Sequence, residues 1–291
     1  MERLPITGHT KLTALLGKPV AHSLSPLMHN EAFHLLGLDY VYLCFEVDES
    51  TLPVAVAGLK ASGIRGFNLT MPNKNKIMDL LDDLSPAAKM IGAVNTVVNE
   101  NGKLIGHNTD GTGFMRSAAD AGFDLKGKRM TLLGAGGAAT AIAAQASLDG
   151  MKEIRIFLRS TSRFYNRIQN LADIINRTTG CCASLHDNND QQALKTSLDS
   201  SDILVNATSV GMEPNTDASL ITDPSMFHSK LAVADIIYEP RKTKLLALAE
   251  SAGCPVMNGL YMLLYQGAEA FRLFTGKEMP TEKIKEKFFS R

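Results

Sequence analysis

Leu132-Leu133-Gly134-Ala135-Gly136-Gly137-Ala138-Ala139 spells G-x-G-x-x-A between an apolar run and an alanine-rich stretch. In that setting each small residue has a task. Gly134 permits a sharp turn out of a strand, Gly136 lets the backbone approach a pyrophosphate, and Ala139 lets the following helix close on the sheet. The helix N-terminus attracts the anion. The implied ligand is a dinucleotide; the plain alternative is a tight strand-to-helix turn. Chains that bind NAD usually carry an acidic residue at the end of the next strand, for the ribose 2′-hydroxyl. Here the sequence runs Leu158-Arg159-Ser160-Thr161-Ser162-Arg163, two guanidinium groups among hydroxyls, which suits the 2′-phosphate of NADP.

Other polar clusters fall where strands end. Ser23 and Ser25 flank Leu24 just before a helix and can clamp a carboxylate, or Ser25 can simply cap that helix. Asn68, Thr70 and Lys74 close another strand with an amide, a hydroxyl and an ammonium group. Asn95-Thr96 and Asn108-Thr109-Asp110 lie on the two arms of a hairpin whose turn is Asn101-Gly102, a pair suited to positive φ at both positions. With a two-residue loop, Asn95 faces Asn108 and comes within a step or two of Asp110. A ligand explains such polarity; a helix cap at Asp110 and a satisfied cross-strand pair at Asn95 are the simpler readings.

The elements that position these groups alternate short Val/Ile/Leu-rich runs with helix-length segments opened by Ser, Thr or Pro, which reads as an α/β fold. Thr13 to Leu16, Tyr40 to Val47 and Ile64 to Thr70 are predicted strands, with a helix from Ser25-Pro26 to Gly37 between the first two. Val94 to Asn99 and Lys103 to Asn108 form the hairpin. Beyond Gly113 a second domain begins, with strands at Lys128 to Leu133, Ile154 to Leu158, Ile203 to Asn206, Leu231 to Ile237 and Pro255 to Met257. These suit a doubly wound parallel sheet, Rossmann-like in kind. His186 to Gln192 reads as a loop.

Lysine plus arginine (30) equals aspartate plus glutamate (30), so no global positive field exists to hold nucleic acid or an anionic membrane. A 45% hydrophobic share is that of an ordinary globular chain. Met1 to Gly8 lacks the apolar core of a leader, and no apolar run is long enough to span a membrane. Cys44, Cys181, Cys182 and Cys254 show neither a disulfide framework nor metal-ligand spacing, which points to the cytoplasm and to no metal.

Taken in order, the clusters resemble the shikimate dehydrogenase family, including its quinate/shikimate dehydrogenase branch, over nearly the whole chain. The matching pieces are His22-Ser23-Leu24-Ser25-Pro26 with His29-Asn30, Gly66-Phe67-Asn68-Leu69-Thr70-Met71-Pro72 with Lys74, Gly92-Ala93-Val94-Asn95-Thr96, and Asn108-Thr109-Asp110-Gly111. Further along come the glycine turn, Asn206-Ala207-Thr208-Ser209-Val210-Gly211-Met212, Asp235 with Tyr238 and Pro240, and Gly259 with Met262, Leu263 and Gln266.

The resemblance implies reversible oxidation of shikimate to 3-dehydroshikimate in aromatic amino acid biosynthesis, with hydride passing to NADP, or alternatively NAD. It implies Lys74 and Asp110 as the catalytic pair and Ser23, Ser25 and Tyr238 as carboxylate anchors. Thr70, Asn95 and Gln266 would hold ring hydroxyls. Gly134, Ala135, Gly136, Gly137, Ala138, Ala139, Arg159, Ser160, Thr161, Arg163, Ile236 and Gly259 would contact the cofactor. The helices after Gly259 should return to the first domain, giving a substrate domain of 1–112 with 260–291 and a cofactor domain of 113–259. Leu158 departs from the asparagine common in NADP-using members, and uncharged Thr161 stands near the acidic residue that NAD-using members often carry. The rival readings are a quinate dehydrogenase using NAD and a catalytically silent nucleotide-binding sensor. A homodimer is left open.

Overall fold

The computed structural model describes residues 4–289, so Met1–Arg3 of the stretch read for a leader lie outside it. The chain divides into two compact units. One contains the segment through Thr109 together with the segment from Leu264 onward; the other is Asp110–Leu263.

The first unit carries β1 (Lys11–Gly17), α1 (Ser25–Leu35), β2 (Tyr40–Glu46), α2 (Leu52–Ala61), β3 (Gly66–Leu69), β4 (Asp83–Leu84), α3 (Pro86–Ile91), β5 (Thr96–Glu100) and β6 (Lys103–His107). Its six strands run β2-β1-β3-β5-β6-β4. β1 is parallel to β2 and β3; β5 is antiparallel to β3, and also to β6, to which a tight hairpin joins it. Glu100 pairs with Lys103, leaving a two-residue loop in which Asn101 (φ 54°) and Gly102 (φ 88°) both take positive φ. That register carries Asn95 opposite Asn108, as the sequence predicts. One face of the sheet is sealed by α2, where Ala14, Leu16, Leu52, Val56, Ile64, Phe67 and Leu69 form a buried core.

The second unit carries α4 (Asp110–Asp120), β7 (Arg129–Leu133), α5 (Gly137–Leu148), β8 (Glu153–Leu158), α6 (Tyr165–Thr178), β9 (Cys182–Asp187), α7 (Gln191–Asp199), β10 (Ile203–Asn206), β11 (Ala232–Asp235), α8 (Lys244–Ser251) and β12 (Val256–Met257). Its sheet is parallel throughout, in the order β12-β11-β10-β7-β8-β9. The winding reverses between β7 and β10, and ligands of such sheets bind where the order switches. α9 (Leu260–Thr275) begins in this unit, and its later turns, with α10 (Thr281–Phe288), belong to the first.

The segment expected to be a loop, His186 to Gln192, is shorter than that. His186 and Asp187 finish edge strand β9, and Gln191 and Gln192 start α7. Polar residues suffice in an edge strand because it leaves much of its surface to water, so hydropathy gives no strand signal there.

Candidate active site

Ser25 is the first residue of α1, not its cap: Leu24 occupies the cap position and makes no side-chain cap bond. Ser23, two residues before, accepts the Ser25 N–H through Oγ at 3.2 Å, which tightens the turn that presents both hydroxyls.

A buried polar network begins at Tyr42. Its hydroxyl donates to Asn68 Oδ1 at 2.8 Å, and Asn68 Nδ2 donates to Thr96 Oγ1 at 2.8 Å and to the Asn95 carbonyl at 3.2 Å. Thr96 Oγ1 donates to Asn95 Oδ1 at 3.0 Å. Asn95 Oδ1 also accepts the Thr109 N–H at 2.8 Å, while Asn95 Nδ2 donates to Thr109 Oγ1 at 3.0 Å. Tyr42, Asn68, Asn95, Thr96 and Thr109 are all buried. Buried polar groups persist only when their hydrogen bonds are made, and here each partner fixes the next. Burial pushes the Tyr42 phenol well above its usual range, so it stays protonated and can donate.

This network holds the surroundings of the two groups expected to do chemistry. The Lys74 carbonyl accepts the Val94 N–H at 2.8 Å. The residue before it, Asn73, is fully buried and anchors the loop by donating Nδ2 to the Val47 carbonyl at 2.8 Å. Asn95, the next residue after Val94, holds Thr109, and Asp110 follows by one peptide bond as the first residue of α4. Lys74 and the residue before Asp110 are therefore both tied to Val94-Asn95. Thr70 is set by its N–H donating to the Leu16 carbonyl at 3.1 Å. Gln266 rides on α9, which approaches α1 closely: a Cβ at Gly267 would lie 2.7 Å from Met28 Cε. Arg65 closes the far end of α9, donating Nε to the Phe274 carbonyl at 2.8 Å.

In the second unit, Gly134 leaves β7 at φ 113°, and a Cβ there would lie 2.8 Å from the Ala207 carbonyl. Only glycine meets both demands. Gly136 caps α5 without a side-chain bond, and Cβ atoms built at Gly136 or Gly137 would meet nothing within 4 Å. An open surface beside the uncapped N–H groups of a helix start is what a pyrophosphate needs, so these residues fit a dinucleotide. Arg159, Ser160, Thr161 and Arg163 follow β8 and are exposed, with the Arg163 guanidinium 4.7 Å over the Phe164 ring. No carboxylate stands among them.

Across the switch point, buried Asp235 ties two loops together. Its Oδ1 accepts from Asn206 Nδ2 and from the Ile237 N–H, each at 3.0 Å, and its Oδ2 accepts from Thr243 Oγ1 at 2.7 Å. Burial pushes its carboxyl up, and the three donors oppose that rise. Asn206 in turn holds Thr208. Gly259 lies directly on this loop, since a Cβ there would collide with the Ile236 carbonyl. Tyr238 is exposed at 45%.

Ser23, Ser25, Thr70, Lys74, Asn95 and Gln266 thus share one unit, and Asp110, Tyr238, Ile236, Gly259, the glycine turn and the two arginines share the other. Sequence reading assigned no task to Tyr42, Asn73 or Thr109. The only signals were a tyrosine in an alternating strand and two polar residues beside named ones, and neither reports burial. Among the described residues, no cluster of His, Cys, Asp or Glu is arranged to hold a metal ion, and no helix is long and apolar enough to cross a membrane.

Comparison with known proteins gives two family matches: residues 15–97 with the shikimate dehydrogenase substrate binding domain, and residues 259–287 with the shikimate 5′-dehydrogenase C-terminal domain. The chain is 55% identical over 289 residues to a shikimate dehydrogenase (NADP(+)) of Streptococcus equi subsp. zooepidemicus, covering 98% of this chain and 97% of that one. It superimposes with a TM-score of 0.95 on shikimate 5-dehydrogenase from Listeria monocytogenes, solved in complex with shikimate and NAD, at 52% identity and 98% coverage of both chains. A quinate dehydrogenase from Corynebacterium glutamicum in complex with NAD matches at a TM-score of 0.84 and 31% identity, over 97% of this chain and 99% of that one.

Proposed function

The chain belongs to the shikimate dehydrogenase family, and from that premise we propose that it catalyses the reversible NADP-dependent oxidation of shikimate to 3-dehydroshikimate. The observation that carries the reading is the tie of Lys74 and of Thr109, the residue before Asp110, to consecutive residues, Val94 and Asn95. Bound nicotinamide supplies the hydride acceptor. The protein must then remove the hydroxyl proton from the same carbinol, because a ketone forms only as both leave. Lys74 takes that proton as the carbonyl forms and returns it in the reductive direction, with Asp110 orienting the ammonium group.

Ser23 and Ser25, joined by Tyr238, hold the carboxylate; Thr70, Asn95 and Gln266 hold the ring hydroxyls. The Asn95 amide is held in place at both ends, its Oδ1 by Thr109 and Thr96 and its Nδ2 by Thr109. The residues through Thr109 with the C-terminal helices serve as the substrate domain, and the parallel-sheet unit as the cofactor domain. Gly134 to Ala139, Ile236 and Gly259 hold the dinucleotide. Arg159 and Arg163, with Ser160 and Thr161, favour NADP over NAD because no carboxylate repels the 2′-phosphate. The four free cysteines agree with work in the cytoplasm.

The test is nicotinamide reduction measured with shikimate and quinate, each with NADP and NAD. Shikimate with NADP should give the highest kcat/KM. A preference for quinate would change the substrate assigned, and binding of NADP without turnover of either alcohol would refute the enzymatic reading.

A further inference from the structure

At the switch of the parallel sheet three strands end in register: Asn206 of β10 lies opposite Leu133 of β7 on one side and Asp235 of β11 on the other. Gly134 follows Leu133, and a Cβ there would lie 2.8 Å from the Ala207 carbonyl and 2.9 Å from Thr208 Cγ2. The glycine turn therefore rests on the loop after β10. That loop takes its shape from Asn206, whose Oδ1 accepts the Thr208 N–H at 3.1 Å and the Thr208 hydroxyl at 2.7 Å, and whose Nδ2 donates to the Val210 carbonyl at 3.3 Å.

The hydrogen-bond roles around Asp235 are forced. The Thr208 N–H can only donate and the Val210 carbonyl can only accept, so the Asn206 amide has one orientation and turns its nitrogen to Asp235. The Ile237 N–H can only donate as well, so a single oxygen, Oδ1, accepts from both loops. Oδ2 is braced from behind: Thr243 Oγ1 caps α8 by accepting the Leu246 N–H at 3.4 Å, which leaves its hydrogen for Asp235. Asp235 is only 1% exposed, so no ligand reaches it. Its neighbours are the groups within reach. Ile236 lies between Asp235 and Ile237, and the Gly259 N–H donates to the Ile237 carbonyl at 3.1 Å.

We propose that Asp235 is a positioning residue for the dinucleotide: one carboxylate oxygen holds the loop under the glycine turn and the loop that carries Ile236 in a fixed relation, so the crevice at the switch is shaped before the nucleotide arrives. This rests on the reading of the parallel-sheet unit as the cofactor domain. A preformed crevice binds more tightly because its loops are already ordered in the free protein. The tie acts beside the glycine turn and Ile236, away from the arginines after β8, so it serves NADP and NAD alike, whereas Arg159 and Arg163 distinguish them.

The test is isothermal titration of the full chain with NADP and with NAD, beside thermal unfolding without nucleotide and shikimate kinetics at saturating NADP. Asp235→Ala removes both acceptors and should weaken NADP and NAD by the same factor, about tenfold, the worth of one hydrogen bond. KM for shikimate should stay within about twofold. Asp235→Asn keeps the Oδ1 acceptor and should recover most of the affinity. Unchanged nucleotide affinity in Asp235→Ala with a lowered Tm overturns the role, as does a loss confined to NADP or a loss as large in Asp235→Asn. Should Asp235→Ala fail to fold, Asn206→Ala releases the loop after β10 while Asp235 keeps Ile237 and Thr243, and the same losses are expected; unchanged affinity there also overturns it. Wild-type protein that binds neither nucleotide overturns the cofactor-domain reading and this inference together, whereas wild-type binding with unaltered variants overturns the inference alone.

Discussion

His29 sits among Tyr42, Phe33, Phe271 and Phe274, fully buried, and neither ring nitrogen has a hydrogen-bond partner among the described residues. Burial lowers its pKa to about 3 from 6.5, because nothing compensates the charged ring for lost water. Between those values the unfolded chain binds a proton that the folded chain refuses, so acid favours unfolding. The contribution is fully present above pH 6.5 and is lost as pH falls toward about 3. At about 1.36 kcal/mol per unit, going from about pH 8 to about pH 5 removes about 2 kcal/mol of stability through this residue alone. His29→Leu, close in volume, removes the titration. The assay is urea unfolding at both pH values, followed by far-ultraviolet circular dichroism because the chain contains no tryptophan. Other titrating groups are shared, so the wild type should lose about 2 kcal/mol more than the variant between the two pH values. Equal losses would refute the uncompensated burial of the ring.

Lys74→Ala should lower kcat by roughly 10²–10⁴ while KM for shikimate moves little, as steady-state kinetics would show; near-wild-type turnover would exclude Lys74 from proton transfer. Arg65→Ala removes donors to the Phe274, Asn99 and Leu273 carbonyls and should cost about 2–3 kcal/mol in chemical denaturation, an unchanged midpoint speaking against a clamp on α9. Replacing Arg159 and Arg163 together by alanine should lower kcat/KM for NADP about 10–100-fold and leave NAD within about twofold. Parallel losses with both cofactors would assign the arginines to some task other than the 2′-phosphate.

Much of the fold was legible because local chemistry wrote it. Asn101-Gly102 fixed the hairpin and hence the pairing of Asn95 with Asn108, since few residue pairs take positive φ twice. The turn at Gly134 was equally plain. Edge strand β9 was not, because a strand that faces water need not alternate in hydropathy, and two-residue β4 is too short to leave a pattern. In the site, the anchors and the expected catalytic pair could be named from residue types at strand ends. Ser25 looked like a helix cap, whereas it is the first helical residue of α1 and Leu24 holds the cap position.

By itself the sequence determined the α/β class, the glycine turn, the hairpin register and the polar residues available for chemistry, all consequences of bonds and dihedrals within a few residues. Tertiary structure alone decided which buried polar groups meet. Tyr42 and Asn68 are 26 residues apart in the chain, and Asn68 and Thr96 a further 28. Their donors and acceptors are sorted only when the strands pack and water leaves, because only then does an unmade hydrogen bond become costly enough to choose a single arrangement.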